Sequence, residues 1–107
     1  VINGLSFHDL KLNPLDFSMV INKRGSLQIC LLVLNDSPSP EKILVEYDGV
    51  IQKFTVNWNE WGWAPITLLK EYPRDTNVNF EISAEREDTG LKIAKVYFRY
   101  QDVVKTD

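Results

Sequence analysis

Turn-forming clusters interrupt this chain at short intervals, and that spacing restricts the fold more than any other feature. They are Asn13-Pro14, Asn22-Lys23-Arg24-Gly25, Asn35-Asp36-Ser37-Pro38-Ser39-Pro40, Asp48-Gly49, Tyr72-Pro73-Arg74-Asp75 and Glu87-Asp88-Thr89-Gly90. Between them lie runs of about five to ten residues rich in Val, Ile, Phe, Tyr and Thr, the pattern of an antiparallel all-β domain. Helical spacing shows only over residues 65–72. The clearest hairpin joins residues 42–47 to 50–56 through Asp48-Gly49, because both turn residues tolerate the positive φ that a type I′ turn needs. A second hairpin is expected between residues 16–21 and 26–34, about Lys23-Arg24-Gly25. The run from Leu27 to Leu34 is apolar on both alternating faces, so it is expected as a central strand covered on both sides. Over residues 77–84, Val78, Phe80, Ile82 and Ala84 face inward and Asn79, Glu81 and Ser83 outward. In the last run, 91–100, the expected core face is Ala94, Val96 and Phe98, against Ile93, Lys95 and Tyr97. Roughly eight such strands, several with one wet face, close as an all-β, two-sheet antiparallel β-sandwich. Alternation alone leaves jelly-roll and immunoglobulin-like topologies open, although the Cys, Trp and Cys spacing of immunoglobulin domains is absent.

At 107 residues the chain has room for one core. The start Val1-Ile2-Asn3-Gly4-Leu5 has no signal-peptide pattern, so residues 1–107 are expected to be a single module cut from a larger multidomain protein. With 44% apolar and 11% aromatic residues, the chain has enough apolar surface to offset the entropy of ordering. Its formal net charge of −3 supplies no basic excess to displace counterions, so nucleic acid is not an expected partner. No run reaches the roughly 18 apolar residues of a membrane span, and no membrane association is expected. Cys30 has no partner for an internal disulfide and reads as a small buried hydrophobe. His8 is the only histidine, which leaves zinc sites and His-based triads poorly supplied. Glu85, Glu87 and Asp88 read as an acidic turn on a solvated face, in preference to a calcium site or an acid–base pair. Lys23 and Arg24 read as polar residues at a hairpin tip, and Asn35-Asp36-Ser37 matches the glycosylation sequon. With no nucleophile, metal set or convergent acid and base, the chain is not expected to be an enzyme.

The segment Trp58-Asn59-Glu60-Trp61-Gly62-Trp63 places three indoles in six residues. In a strand Trp61 and Trp63 share a face. Trp63 is read as core, Trp61 is open between core and surface, and Trp58, among Asn57, Asn59 and Glu60, is read at a loop tip, where an indole is costly to expose without a ligand. An accessible flat ring beside amides and carboxylates suits a sugar, whose C–H face covers the ring while polar groups take its hydroxyls. Tyr47 is a further candidate, projecting from the Asp48-Gly49 hairpin, whereas Asp48 itself is read as a turn former.

The order of Leu27-Gln28-Ile29-Cys30-Leu31-Leu32-Val33, Ile43-Leu44-Val45-Glu46-Tyr47-Asp48-Gly49, Trp61-Gly62-Trp63-Ala64-Pro65-Ile66 and the stretch from Phe80 to Phe98 resembles the galactose-binding-like jelly rolls of carbohydrate-binding modules, broadly those similar to families 6 and 35. The resemblance covers about residues 26–100. It implies a jelly roll and sugar binding by loops at one end of the sandwich, through Trp58 or Trp61 and, before the last strand, Lys92. Ala94 stands where that group usually has Asp, and Lys92 where sugar-binding members often have Asn. A structural calcium is a further option in the group, but residues 1–16 lack the Glu-Ala-Glu-like segment that commonly helps to hold it. The resemblance also implies a secreted or cell-surface setting, with a polysaccharide or oligosaccharide as ligand and a neighbouring catalytic domain in the parent chain. The alternative is a ligand-free structural or protein-interaction sandwich that packs its aromatic cluster on a neighbouring domain.

Overall fold

The computed structural model describes residue 2 and residues 4–22 and 25–101. Eight strands run through them: β1 (His8–Asp9), β2 (Leu15–Val20), β3 (Ser26–Asn35), β4 (Glu41–Tyr47), β5 (Val50–Val56), β6 (Gly62–Thr67), β7 (Asn77–Ala84) and β8 (Leu91–Gln101). They form two four-stranded antiparallel sheets, ordered β1-β8-β3-β6 and β2-β7-β4-β5. Consecutive strands mostly alternate between the sheets, which is the jelly-roll topology. Residues 65–72 hold the end of β6 and irregular chain, and no helix occurs among the described residues.

The β4–β5 hairpin turns at Asp48 (φ 49°) and Gly49 (φ 75°), as the type I′ expectation requires. The second expected hairpin does not form. β2 pairs with β7 while β3 pairs with β6 and β8 in the opposite sheet, so the chain crosses the sandwich between them. Lys23 and Arg24 lie outside the described residues. β3 is the expected strand covered on both sides: every residue from Leu27 to Asn35 is buried. Its odd-numbered residues Ile29, Leu31 and Val33 meet Ile43, Val45, Ile82 and Leu91 in the interior. Phe17, Phe80 and Phe98 pack there at centroid separations of 5.3–5.8 Å, Phe17 stacked on Phe80 and edge-on to Phe98, with Tyr47 5.6 Å from Phe80; such contacts add to area burial.

β8 departs from simple alternation. Leu32 faces Lys95 and Val33 faces Ile93, so Ala94 is an extra residue, a β-bulge. Leu91 and Ile93 point inward before it, and Val96, Phe98 and Tyr100 after it. Val96 and Phe98 therefore occupy the core as expected, but Ile93 replaces Ala94 there.

The loop end of the sandwich is tied by buried polar groups. The Glu41 carboxylate accepts the Gly90 amide at 2.8 Å, and the Gly90 carbonyl accepts the Asp36 amide at 2.8 Å. Asn35 donates its side-chain amide to the Ser39 and Val56 carbonyls at 2.9 and 3.2 Å, and its carbonyl oxygen accepts from Ser37. The sequon asparagine is 2% exposed, so in the folded chain its amide nitrogen is engaged within the protein.

Candidate functional site

The four residues singled out by the sequence occupy three places. Trp58 lies at the loop end, half-buried, with its indole N–H donating to the Val33 carbonyl at 3.1 Å and its ring edge-on to Phe54. Gly62 lies against that ring, since a Cβ there would sit 2.7 Å from the indole nitrogen. Trp58 lines a depression of about 260 Å³ with Asn57, Asn59, Ser37 and Ser39. Trp61 and Lys92 come together through Phe7: the Trp61 ring lies 6.3 Å from Phe7, and the Lys92 ammonium 5.9 Å from the same ring. The Trp61 N–H donates to the Ile2 carbonyl at 3.3 Å. Lys92 has a side chain 13% exposed, 3.7 Å from the Asp36 carboxylate. Tyr47, on the opposite sheet, is 1% exposed. Its hydroxyl donates to Gln52 and accepts the Leu69 amide at 2.9 Å. Burial pushes the Tyr47 phenol above its ordinary value, the Leu69 hydrogen bond opposing.

The structure corrects the expectation for Trp63. Ala64 and Ile66 fill the interior opposite Leu31 and Ile29, and alternation turns Trp63 outward, where it is 47% exposed. The signal for this lay in Ala64, Ile66 and Leu68, an alternating apolar series that leaves Trp63 on the other face.

Trp63 belongs to a patch of three rows across the outer face of β8, β3 and β6. The register aligns Lys95, Leu32 and Trp63; then Tyr97, Cys30 and Pro65; then Arg99, Gln28 and Thr67. Trp63 and Tyr97 meet edge to face, centroids 5.1 Å apart and planes at 68°. Between them Cys30 and Leu32 are buried, and Tyr97 is 45% exposed. In the third row Gln28 donates to the Thr67 hydroxyl at 3.2 Å and accepts from Arg99 Nε at 3.1 Å.

The acidic turn after β7 is solvated and ion-paired, Glu85 with Lys53 at 2.9 Å and Asp88 with Lys11 at 3.2 Å. The hydrogen bond from Lys53, with its charge, holds the Glu85 carboxyl below its ordinary value. Among the described residues no group of three or more His, Cys, Asp or Glu side chains is placed to hold a metal ion.

No protein-family model matches the chain, and no curated protein matches it. Solved structures with a similar fold include a ruminal GH26 endo-β-1,4-mannanase, with TM-score 0.69 and 11% identity over 96% of this chain and 21% of that one. An exo-β-1,3-galactanase from Phanerochaete chrysosporium, solved with galactose, gives 0.57 and 13% over 80% of this chain and 21% of that one. A cycloisomaltooligosaccharide glucanotransferase from Paenibacillus sp., complexed with cycloisomaltoheptaose, gives 0.56 and 12% over 78% and 12%. The chain thus spans about a fifth or less of each of these proteins. The likeness is one of fold, to β-rich parts of carbohydrate-active enzymes.

Proposed function

We propose that this sandwich is a noncatalytic carbohydrate-binding module that holds an attached polysaccharide-active enzyme on its glycan, in a secreted or cell-surface protein. The observation that carries the reading is the Trp63–Tyr97 pair, two half-exposed rings on a sheet whose other face is the core. Large aromatic surface is costly in water, and a sheet strand holds it rigidly. The presence of this fold within three carbohydrate-active enzymes supports the same reading. Covering about 60 Å² of one ring at about 25 cal/mol/Å² contributes only about 1.5 kcal/mol. Such a module binds weakly alone and acts by raising the effective concentration of whatever is tethered to it. The loop-end depression beside Trp58, with its amide and hydroxyl groups, offers a second contact.

Affinity electrophoresis against β-1,4-mannan, β-1,3-galactan, isomalto-oligosaccharide conjugates and uronate-bearing glycans tests the reading. Wild-type protein should be retarded by at least one of them, and Trp63→Ala should weaken that binding about tenfold, the equivalent of about 1.4 kcal/mol. The melting temperature should move by only a few degrees, because the ring stands half outside the fold. Unchanged retardation of Trp63→Ala would remove this face from the proposal. Trp58→Ala is the matching test of the loop end. An absence of glycan binding, together with self-association of wild type that Trp63→Ala abolishes, would favour the alternative of a docking surface for a neighbouring domain.

A further inference from the structure

The outer β8-β3-β6 face carries two cations, Lys95 and Arg99. Lys95 and Arg99 stand two residues either side of Tyr97 on that face, about 13 Å apart along the strand. Neither has an ion-pair partner among the described residues. Arg99 is held by the side-chain carbonyl of Gln28, a residue 7% exposed and itself bonded to Thr67. A neutral acceptor orients the guanidinium without cancelling its charge. On this face β3, β6 and β8 place no carboxylate at all, although the chain carries a formal net charge of −3. The opposite sheet instead aligns Asp16, Glu81 and Glu46 across β2, β7 and β4. That outer face also carries Lys42 and Lys53, so it is mixed in sign, and an anionic chain is favoured on the β8-β3-β6 face.

We propose that the Trp63–Tyr97 face takes an anionic polysaccharide, with Lys95 and Arg99 holding uronate carboxylates while the rings take the sugar faces. This rests on the glycan-binding reading above and names the ligand class of the same site. Two cations about 13 Å apart suit a repeating charged chain better than a single anion. Lys92, also on β8, is ion-paired with Asp36 at 3.7 Å and takes no part.

The test uses homogalacturonan, glucuronoxylan and alginate, each beside its carboxyl-reduced, neutral form, in affinity electrophoresis and titration calorimetry. At least one acidic chain should bind tenfold or more tightly than its reduced form, and the preference should shrink as salt is raised. The Lys95→Gln/Arg99→Gln double variant should lose that preference while keeping residual Trp63-dependent binding, and Arg99→Lys should retain part of it. Lys95→Gln alone gives the readout if the double variant does not fold. Equal binding of acidic and reduced chains, with sensitivity to Trp63→Ala, would overturn the anionic assignment and leave the glycan-binding reading standing. A preference for acid that survives the double variant would place the anion site elsewhere and also overturn it. Polyglutamate binding as tightly as the uronates and indifferent to Trp63→Ala would mark a general anion surface instead. No binding of any chain, acidic or neutral, would end both readings.

Discussion

At Gly90 the β7–β8 loop approaches the β3–β4 loop so closely that a Cβ would lie 2.7 Å from the Asp36 carbonyl carbon and from the Ser37 nitrogen. Both are backbone atoms and neither can rotate away. Gly90→Ala should therefore cost about 2 kcal/mol, as overpacking does, and lower the melting midpoint by roughly 10 °C. The same substitution at Gly4, where nothing stands within 4 Å, meets no such contact. Tyrosine provides the pH-dependent counterpart. Tyr47 is raised above its ordinary value of 10.0 mainly by burial, and Tyr72 likewise, with the nearby Asp48 carboxylate adding to it. A raised folded-state value means the folded chain holds its phenolic protons longer, so their contribution is intact below pH 10.0 and is lost as the pH climbs beyond it. Ultraviolet titration should show these two phenols ionising above the ordinary tyrosine range, together with a fall in melting temperature above pH 10. Little of this was legible in the sequence. Tyr47 sits beside a turn, which suggested projection, but its alternation with Val45 and Ile43 places it among core residues. Trp63 was hidden by the habit of assigning apolar residues to the interior.

At the scale of elements, two local signals specify what forms. Asp48-Gly49 specifies its own hairpin, and the two-sided apolar run of β3 specifies a central strand. Partners chosen across the chain leave no local trace, which is why β2 was expected beside β3 and lies beside β7 instead. That pairing creates a row of like charges, with Asp16 directly opposite Glu81 and Glu81 directly opposite Glu46. Like charges facing one another across strands destabilise a sheet, and opposite charges contribute about 0.2–1 kcal/mol per pair. Glu81→Lys should thus stabilise the fold by about 1 kcal/mol, and the gain should shrink with added salt. Thermal melts at low and high ionic strength measure both.

Across the whole molecule, the sandwich architecture was legible because turn spacing and alternation constrain an all-β chain strongly, while the jelly-roll topology came only from the resemblance, since every sandwich shares that alternation. The outer surfaces differ: Asp16, Glu81 and Glu46 align across β2, β7 and β4, and Lys95 and Arg99, with no ion-pair partner among the described residues, stand on β8. This division depends on Ala94 standing out of register. With that extra residue present, Leu91 and Ile93 face the interior while Lys95, Tyr97 and Arg99 face water. Were Ala94 paired in register, strict alternation from Leu91 and Ile93 would carry Lys95, Tyr97 and Arg99 inward in step with them. A single unpaired residue therefore lets one strand give its first half and its second half to the same interior while the cations between them stay wet.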